Sequence, residues 1–139
     1  MIISTISPAG MWNLSPFSFF RGVSANPPVV CFCPVRNGKR QKIDTLNNIE
    51  GAGDFVVNIV SEDIVPQINA TSAEFLPEVD EFEVSGLTPV PRDLVESPRV
   101  RKSRVSMECK PVRVVETSEL PFGGSIVAGS TCVLARPTV

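Results

Sequence analysis

Every long apolar run in this 139-residue chain is short, and nearly all stop at a proline or glycine. That punctuation constrains the fold more than any other feature, because strands need few residues while stable helices need a longer amphipathic period. Ile2–Ile6 is β-branched, and Pro8, Ala9 and Gly10 turn the chain after it. Residues 12–20 read as the second arm of a hairpin, rich in aromatics and interrupted at Pro16. Asn26-Pro27-Pro28 is a further break, and the apolar run 29–33 that follows reads as a strand buried on both faces, ending at Pro34. Residues 55–60 repeat that pattern.

The cleanest alternation comes late. Val105, Met107 and Cys109 interleave with Arg104, Ser106, Glu108 and Lys110, which predicts a strand with one face in water. Val112 and Val114 extend it past Pro111, whose missing N–H points to an edge or a bulge. A last strand over 125–134 follows a turn at Gly123-Gly124. Helical character is confined to two places. Asp44 reads as the N-cap of a short helix with Leu46 and Ile49 spaced i, i+3, ending near Gly51 or Gly53. Ser61-Glu62-Asp63 reads as the cap of a second helix over about 64–73.

Between 77 and 98, Pro77, Pro89, Pro91 and Pro98 punctuate an acidic surface excursion, in which Asp80, Glu81 and Glu83 read as soluble loop rather than a metal patch. Five or six strands with hairpin spacing and two short helices lack the βαβ alternation of a parallel sheet. The expected class is therefore mainly β, an antiparallel barrel with helices at its ends, in one domain over 1–139.

Composition narrows the chemistry. With no His and no Tyr, the chain can build neither a Ser-His-Asp nor a Cys-His catalytic arrangement, nor a His-containing metal site. Any difficult chemistry then falls to something other than a side chain. A net charge of -2 gives no electrostatic case for nucleic acid or an anionic membrane, and no stretch approaches the ~20 apolar residues of a membrane span. Cys31 and Cys33 would share one strand face about 6.6 Å apart, while Cys109 and Cys132 stand alone. None of these has zinc or thioredoxin spacing, and all four read as small buried hydrophobes of a reduced cytoplasmic protein.

Two constellations could carry function. Lys42, Asp44 and Thr45 stand at the entrance to the first helix, where unpaired N–H groups and partial positive charge accept phosphate, with Arg36 close in sequence. The plainer alternative is a capped helix beside a solvated lysine. Residues 13–20, with Asn13 and with Ser18 between Phe17 and Phe19, would suit a flat aromatic ligand, or else form a core strand. Glu108 and Lys110 read as a solvated strand face.

The runs NLSPFSFFRGVSANPPVVCF, QKIDTLNNIEGAGDFVVNIV, VDEFEVSGLTPVP, SPRV and VSMECKP, in this order, resemble the flavin reductase-like family from about Ser4 to about Gly129. The resemblance implies an FMN-binding split β-barrel with two or three short helices, and a homodimer with FMN near the subunit interface. It implies that Asn13, Phe17, Ser18 and Phe19 run past the isoalloxazine and ribityl portions. Lys42, Asp44 and Thr45 would hold the phosphate, with Arg36 a weaker candidate in a variable turn. NAD(P)H would be co-substrate, passing hydride to the flavin, and an oxygenase would be a possible electron acceptor. The alternatives are a flavoredoxin-like FMN electron carrier and a truncated, non-catalytic remnant. A family strand ahead of Ile2–Ile6 and the chain expected after Gly129 are both missing, so the expectation is a domain incomplete at both ends.

Overall fold

The computed structural model describes residues 1–73, 75, 78–90 and 94–135, the side chains of 132–135 excepted; Pro77 and Pro91 of the acidic excursion and the side chain of Cys132 lie outside them. In chain order the elements are β1 (Ile2–Ile6), β2 (Trp12–Pro16), β3 (Phe20–Ala25), β4 (Pro28–Phe32), α1 (Asp44–Ala52) and β5 (Phe55–Asn58). A 3₁₀ turn (Glu62–Ile64) then leads into α2 (Val65–Ala70) and α3 (Glu81–Ser85). The two-residue strands β6 (Pro89–Val90) and β7 (Arg99–Val100) follow, and the long strands β8 (Ser106–Glu116) and β9 (Ser125–Ala135) close the order.

Seven strands form one antiparallel sheet in the order β2-β1-β5-β8-β9-β4-β3, while β6 and β7 pair separately. The two edge strands, β2 and β3, are joined by residues 17–19 alone. A flat seven-stranded sheet would be about 29 Å wide, and so short a link reaches about 14 Å, so the sheet must roll up until its edges approach. The link is itself bonded to the strands next to those edges: Phe17 N–H donates to the Met1 carbonyl just ahead of β1 (3.1 Å), and Cys33 N–H, just past β4, donates to that of Phe19 (3.1 Å). The expected antiparallel barrel is therefore present, built of seven strands; the described residues hold nine strands in all and three short α-helices, where the sequence suggested five or six strands and two helices.

Two apolar cores result. Inside the roll, Ile3, Val30, Phe32, Phe55, Val57, Cys109 and Val127 pack with Leu46 and Ile49, so α1 plugs the barrel. On the outer face of β1 and β2, Ile2 and Leu14 pack with Ile64, Ile68, Phe82, Leu87 and Val100. Strands β1 and β5 are buried on both faces, β5 by the apolar run Phe55 to Val57 and β1 with Ser4 and Thr5 among its buried residues. Strand β4 differs from expectation: Val30 and Phe32 are buried, but Val29 and Cys31 are half-buried on the other side. Cys33 is likewise half-buried, so of the cysteines with described side chains only Cys109 is core. Burial, and then the neighbouring Cys31 thiol, push the Cys33 thiol up.

Local signals account for several boundaries. α1 ends where Gly53 adopts φ 87° and caps the Ile49 carbonyl, a left-handed conformation that suits glycine. At its other end, Ile43 is the N-cap and Asp44 is the first helical residue, not the cap that the sequence suggested. The β8–β9 ladder shifts register between Pro111 and Arg113, as the missing proline N–H required. Across that ladder Gly129 is needed for close packing: a Cβ there would lie 2.3 Å from Cζ of Phe55.

One strand reading is overturned. Met107 and Cys109 face the inner core as predicted, but Ser106 and Glu108, expected in water, are buried. Ser4, Val56 and Glu108 stand opposite one another across β1, β5 and β8, and a strap of chain from 94 to 100 lies over that row. Glu108 accepts from the N–H groups of Leu94 (2.8 Å) and Val95 (3.3 Å). Asp54 accepts from Glu96 N–H, Ser97 N–H and the Ser97 hydroxyl. Asn58 Oδ1 accepts from Val100 N–H and the Ser106 hydroxyl, and Ser4 donates to the Pro98 carbonyl. Residues 94–98 of the acidic excursion are thus tied down rather than loose.

Candidate functional site

Most of the residues singled out from sequence lie on β2, on the 17–19 corner that follows it, or at the start of α1. Phe17, Phe20 and Ile43 pack at the margin of the same inner core as Leu46 and Ile49. Phe17 stacks tilted against Phe32, ring centroids 5.0 Å apart, and is half-buried. Ser18 and Phe19 are exposed, Phe19 at 68%. The corner therefore anchors itself through Phe17 and shows one aromatic ring and a hydroxyl to solvent.

Asn13 and Thr45 meet directly. The buried Thr45 hydroxyl donates to Asn13 Oδ1 at 2.9 Å, and Asn13 Nδ2 donates to Glu81 Oε1 at 2.8 Å. Leu14 N–H donates to the other carboxylate oxygen, Oε2, at 3.3 Å. This chain links α1, β2 and α3, and its donor directions fix the orientation of the Asn13 amide. With its hydroxyl committed inward, Thr45 has its backbone N–H left to offer a ligand at the helix N-terminus. A second buried bond, Asn48 Nδ2 to Thr5 Oγ1 at 3.0 Å, ties α1 to β1.

Glu81 was missed by the sequence reading, which placed it in soluble loop. It lies in the first turn of α3, whose N-cap Asp80 accepts from Phe82 N–H, and it is 5% exposed. Burial raises its pKa to about 7, although its own main chain and Leu14 N–H oppose the shift, and Asp44 and Asp80 add to it. Asp44, half-buried at the start of α1, is also pushed up, first by burial and then by Glu78. The one sequence signal for Glu81 was the periodicity of Phe82 and Ser85 beside it, too short to distinguish a helix from a loop.

The two cations separate. Lys42 lies along α1 with Nζ 3.0 and 3.3 Å from the Glu50 carboxylate, both side chains partly exposed. Arg36 belongs to a different corner, where it donates to the Arg40 carbonyl (2.8 Å), the Ser118 carbonyl (3.4 Å) and Glu116, against the β8–β9 turn. The structure thus brings Asn13 to Thr45 at the start of α1, beside Asp44 and Lys42, sets the 17–19 corner past the far end of β2 from Asn13, and leaves Arg36 engaged elsewhere. Among the described residues no group of three or more His, Cys, Asp or Glu is placed to hold a metal ion.

A dianionic phosphate and a flat ring fit these residues in part. The first-turn amides of the nine-residue α1 and the Lys42 ammonium, whose exposed ion pair exchanges readily, suit the phosphate. The exposed Phe19 ring and Ser18 hydroxyl suit the ring system. Asp44 and Glu81 are the opposing features, both carboxyls beside that helix terminus.

Known proteins resemble the chain throughout. The pattern of the flavin reductase like domain matches residues 1–135, past the Gly129 at which the sequence resemblance stopped. An uncharacterised protein of Aquifex aeolicus is 40% identical over 118 residues, covering 85% of this chain and 60% of that protein. The chain thus spans well under two-thirds of that relative's length. Nitrilotriacetate monooxygenase component B from Bacillus cereus superposes with a TM-score of 0.90 at 28% identity, covering 97% of this chain and 67% of the other. A putative flavin reductase with a split barrel domain from Shewanella frigidimarina superposes with a TM-score of 0.85 at 29% identity, covering 97% of this chain and 65% of that one.

Proposed function

Because the chain belongs to the flavin reductase-like family and has its split-barrel fold, we propose that it is an FMN-binding oxidoreductase that takes hydride from NAD(P)H. The observation that supports this reading is the polar first turn of α1, where Lys42, Asp44 and Thr45 stand together and Thr45 is bonded to Asn13 of β2, the strand that leads into the exposed 17–19 corner. Bound FMN would supply the hydride chemistry that a chain without histidine does not provide from side chains.

The protein's part is to bind and orient. Lys42 and the amides of the first α1 turn hold the phosphate, Thr45 through its main chain. Asn13, held by Thr45 and Glu81, fixes the wall beside the ribityl portion. Ser18 and Phe19 flank the ring system, while Phe17 locks the corner to Phe32. Arg36, paired with Glu116, contributes by bracing its turn rather than by direct contact.

We read residues 1–139 as one domain that works as a homodimer in the cytoplasm, and the electron acceptor as an oxygenase, in keeping with the Bacillus cereus neighbour's description as a monooxygenase component. The thiols of Cys31 and Cys33 agree with a reducing compartment. No helix among the described residues is long and apolar enough to cross a membrane.

Anaerobic titration tests the assignment. Purified protein should bind FMN, and NADH or NADPH should then bleach its visible absorbance. Lys42→Ala should weaken FMN binding about tenfold and riboflavin binding by less than twofold, since only FMN carries the phosphate. Equal loss for both ligands would remove Lys42 from the phosphate site, and a chain that binds neither flavin would sink the reading.

A further inference from the structure

Among the described residues, the carboxylate of Glu81 is the one buried acid whose hydrogen bonds lead to the first turn of α1. Two bonds and the width of one amide separate Glu81 Oε1 from Thr45 Oγ1, about 8 Å at most, and Thr45 is the second residue of α1. The charged groups facing it are all acidic: Asp44 at the start of α1 and Asp80 at the N-cap of its own helix. Strand β2 offers only the neutral Asn13 and the Leu14 main chain, and α2, which packs on α3, carries no charged residue. No cation offsets a phosphate's charge on that side of the turn among the groups that influence Glu81.

Resting on the FMN reading above, we propose that Glu81 is the proton-linked positioning residue of the phosphate end, so that FMN binding at the first turn of α1 is accompanied by proton uptake at Glu81. In the ionised state both carboxylate oxygens accept, from Asn13 Nδ2 and Leu14 N–H. Protonation leaves Leu14 N–H its acceptor and makes the other oxygen a donor. Asn13 answers by rotating its amide, presenting Oδ1 to Glu81 and Nδ2 to the Thr45 hydroxyl, which accepts as readily as it donates. The link between α1, β2 and α3 thus survives in both states, while the local negative charge falls by one as the phosphate arrives.

A dianion at the first turn of α1 should raise the proton affinity of Glu81 about tenfold. Starting from a pKa of about 7, the FMN dissociation constant of the wild-type chain should rise about fourfold from pH 6.5 to pH 8. Riboflavin, without the phosphate, should show no such slope. Glu81→Gln fixes the neutral state, so its FMN affinity should stay flat over that range and match the wild type at the lower pH. A second measurement needs no variant: calorimetry of wild-type protein at pH 7.5, in buffers of different ionisation heat, should find about half a proton taken up per FMN and none per riboflavin. The proposal is overturned by an unchanged slope in Glu81→Gln, an equal slope for riboflavin, or zero proton uptake with FMN. Absence of FMN binding at every pH would instead bring down the FMN reading and this proposal with it.

Discussion

The two halves of the β8 strand live in different worlds. Residues 106–109 lie between β5 and β9, with the inner core beneath and the 94–100 strap above. Residues 110–116 have β9 on one side and no strand on the other among the described residues, and leave Val112 63% exposed and Val115 39% exposed. The first half buries polar side chains, Ser106 and Glu108, and the second exposes apolar ones. Hydropathy along the strand therefore reads inside out, and the reason differs in each half. Covering chain supplies N–H donors to the first. The second is open to a partner surface, as the proposed homodimer requires, with Leu120 and the 71% exposed Phe122 on the turn beyond it.

The sharpest way to break this contrast is to cut the strap. Asp54 accepts from Glu96 N–H, Ser97 N–H and the Ser97 hydroxyl, so Asp54→Ala leaves three donors of a buried loop without their acceptor. The expected loss is about 3 kcal/mol of unfolding free energy, measured by urea denaturation. A loss below about 1 kcal/mol would mean that the strap is held by its apolar residues, Val95 and Val100, and that the polar lacing is incidental.

This region also marks where the sequence stopped being informative. Strand boundaries, the Gly53 stop and the Pro111 bulge were legible because each depends on neighbours in sequence: a branched side chain, a glycine, a missing N–H. The inner core was legible for the same reason, since Ile3, Phe55, Val57 and Cys109 follow the strand period. The burial of Glu81 and Glu108 was not. A carboxylate enters a protein only where distant chain donates to it, and those donors are Leu14 for one and Leu94 and Val95 for the other. A main-chain N–H has no sequence signature. At the cofactor end, the residue types at 13, 42, 44 and 45 announced a polar helix terminus, but the commitment of the Thr45 hydroxyl to Asn13 required three-dimensional contact.

Acid and base sharpen the comparison next. Glu81 and Asp44 both have raised pKa values in the fold, so the stability they confer is complete below their unfolded values and is lost as pH rises through the folded ones. For Glu81 the window runs from about 4.5 up through about 7. Unfolding free energy should therefore fall by roughly 2 kcal/mol between pH 5 and pH 8, and Glu81→Gln should remove most of that slope. A wild-type profile that rises over this window would show that the hydrogen bonds from Asn13 and Leu14 outweigh desolvation, and that the carboxylate is held ionised.

The smallest expected effect on folding belongs to the outer half of β8. Val112 and Val115 already sit in water, so replacing both with Ser removes little buried area and should change monomer stability by less than about 0.5 kcal/mol. Association is where the change should appear. A dimer that buries these side chains would lose two apolar contacts in the middle of its interface, weakening self-association about tenfold or more in sedimentation equilibrium. Charged residues interleave along the same stretch, with Lys110, Arg113 and Glu116 on it, and these discourage indiscriminate edge pairing without closing the surface to a specific partner. If the double variant unfolds more easily yet associates as before, the exposed valines support the barrel itself. The two halves of β8 would then differ only in how they are covered, not in what they are for.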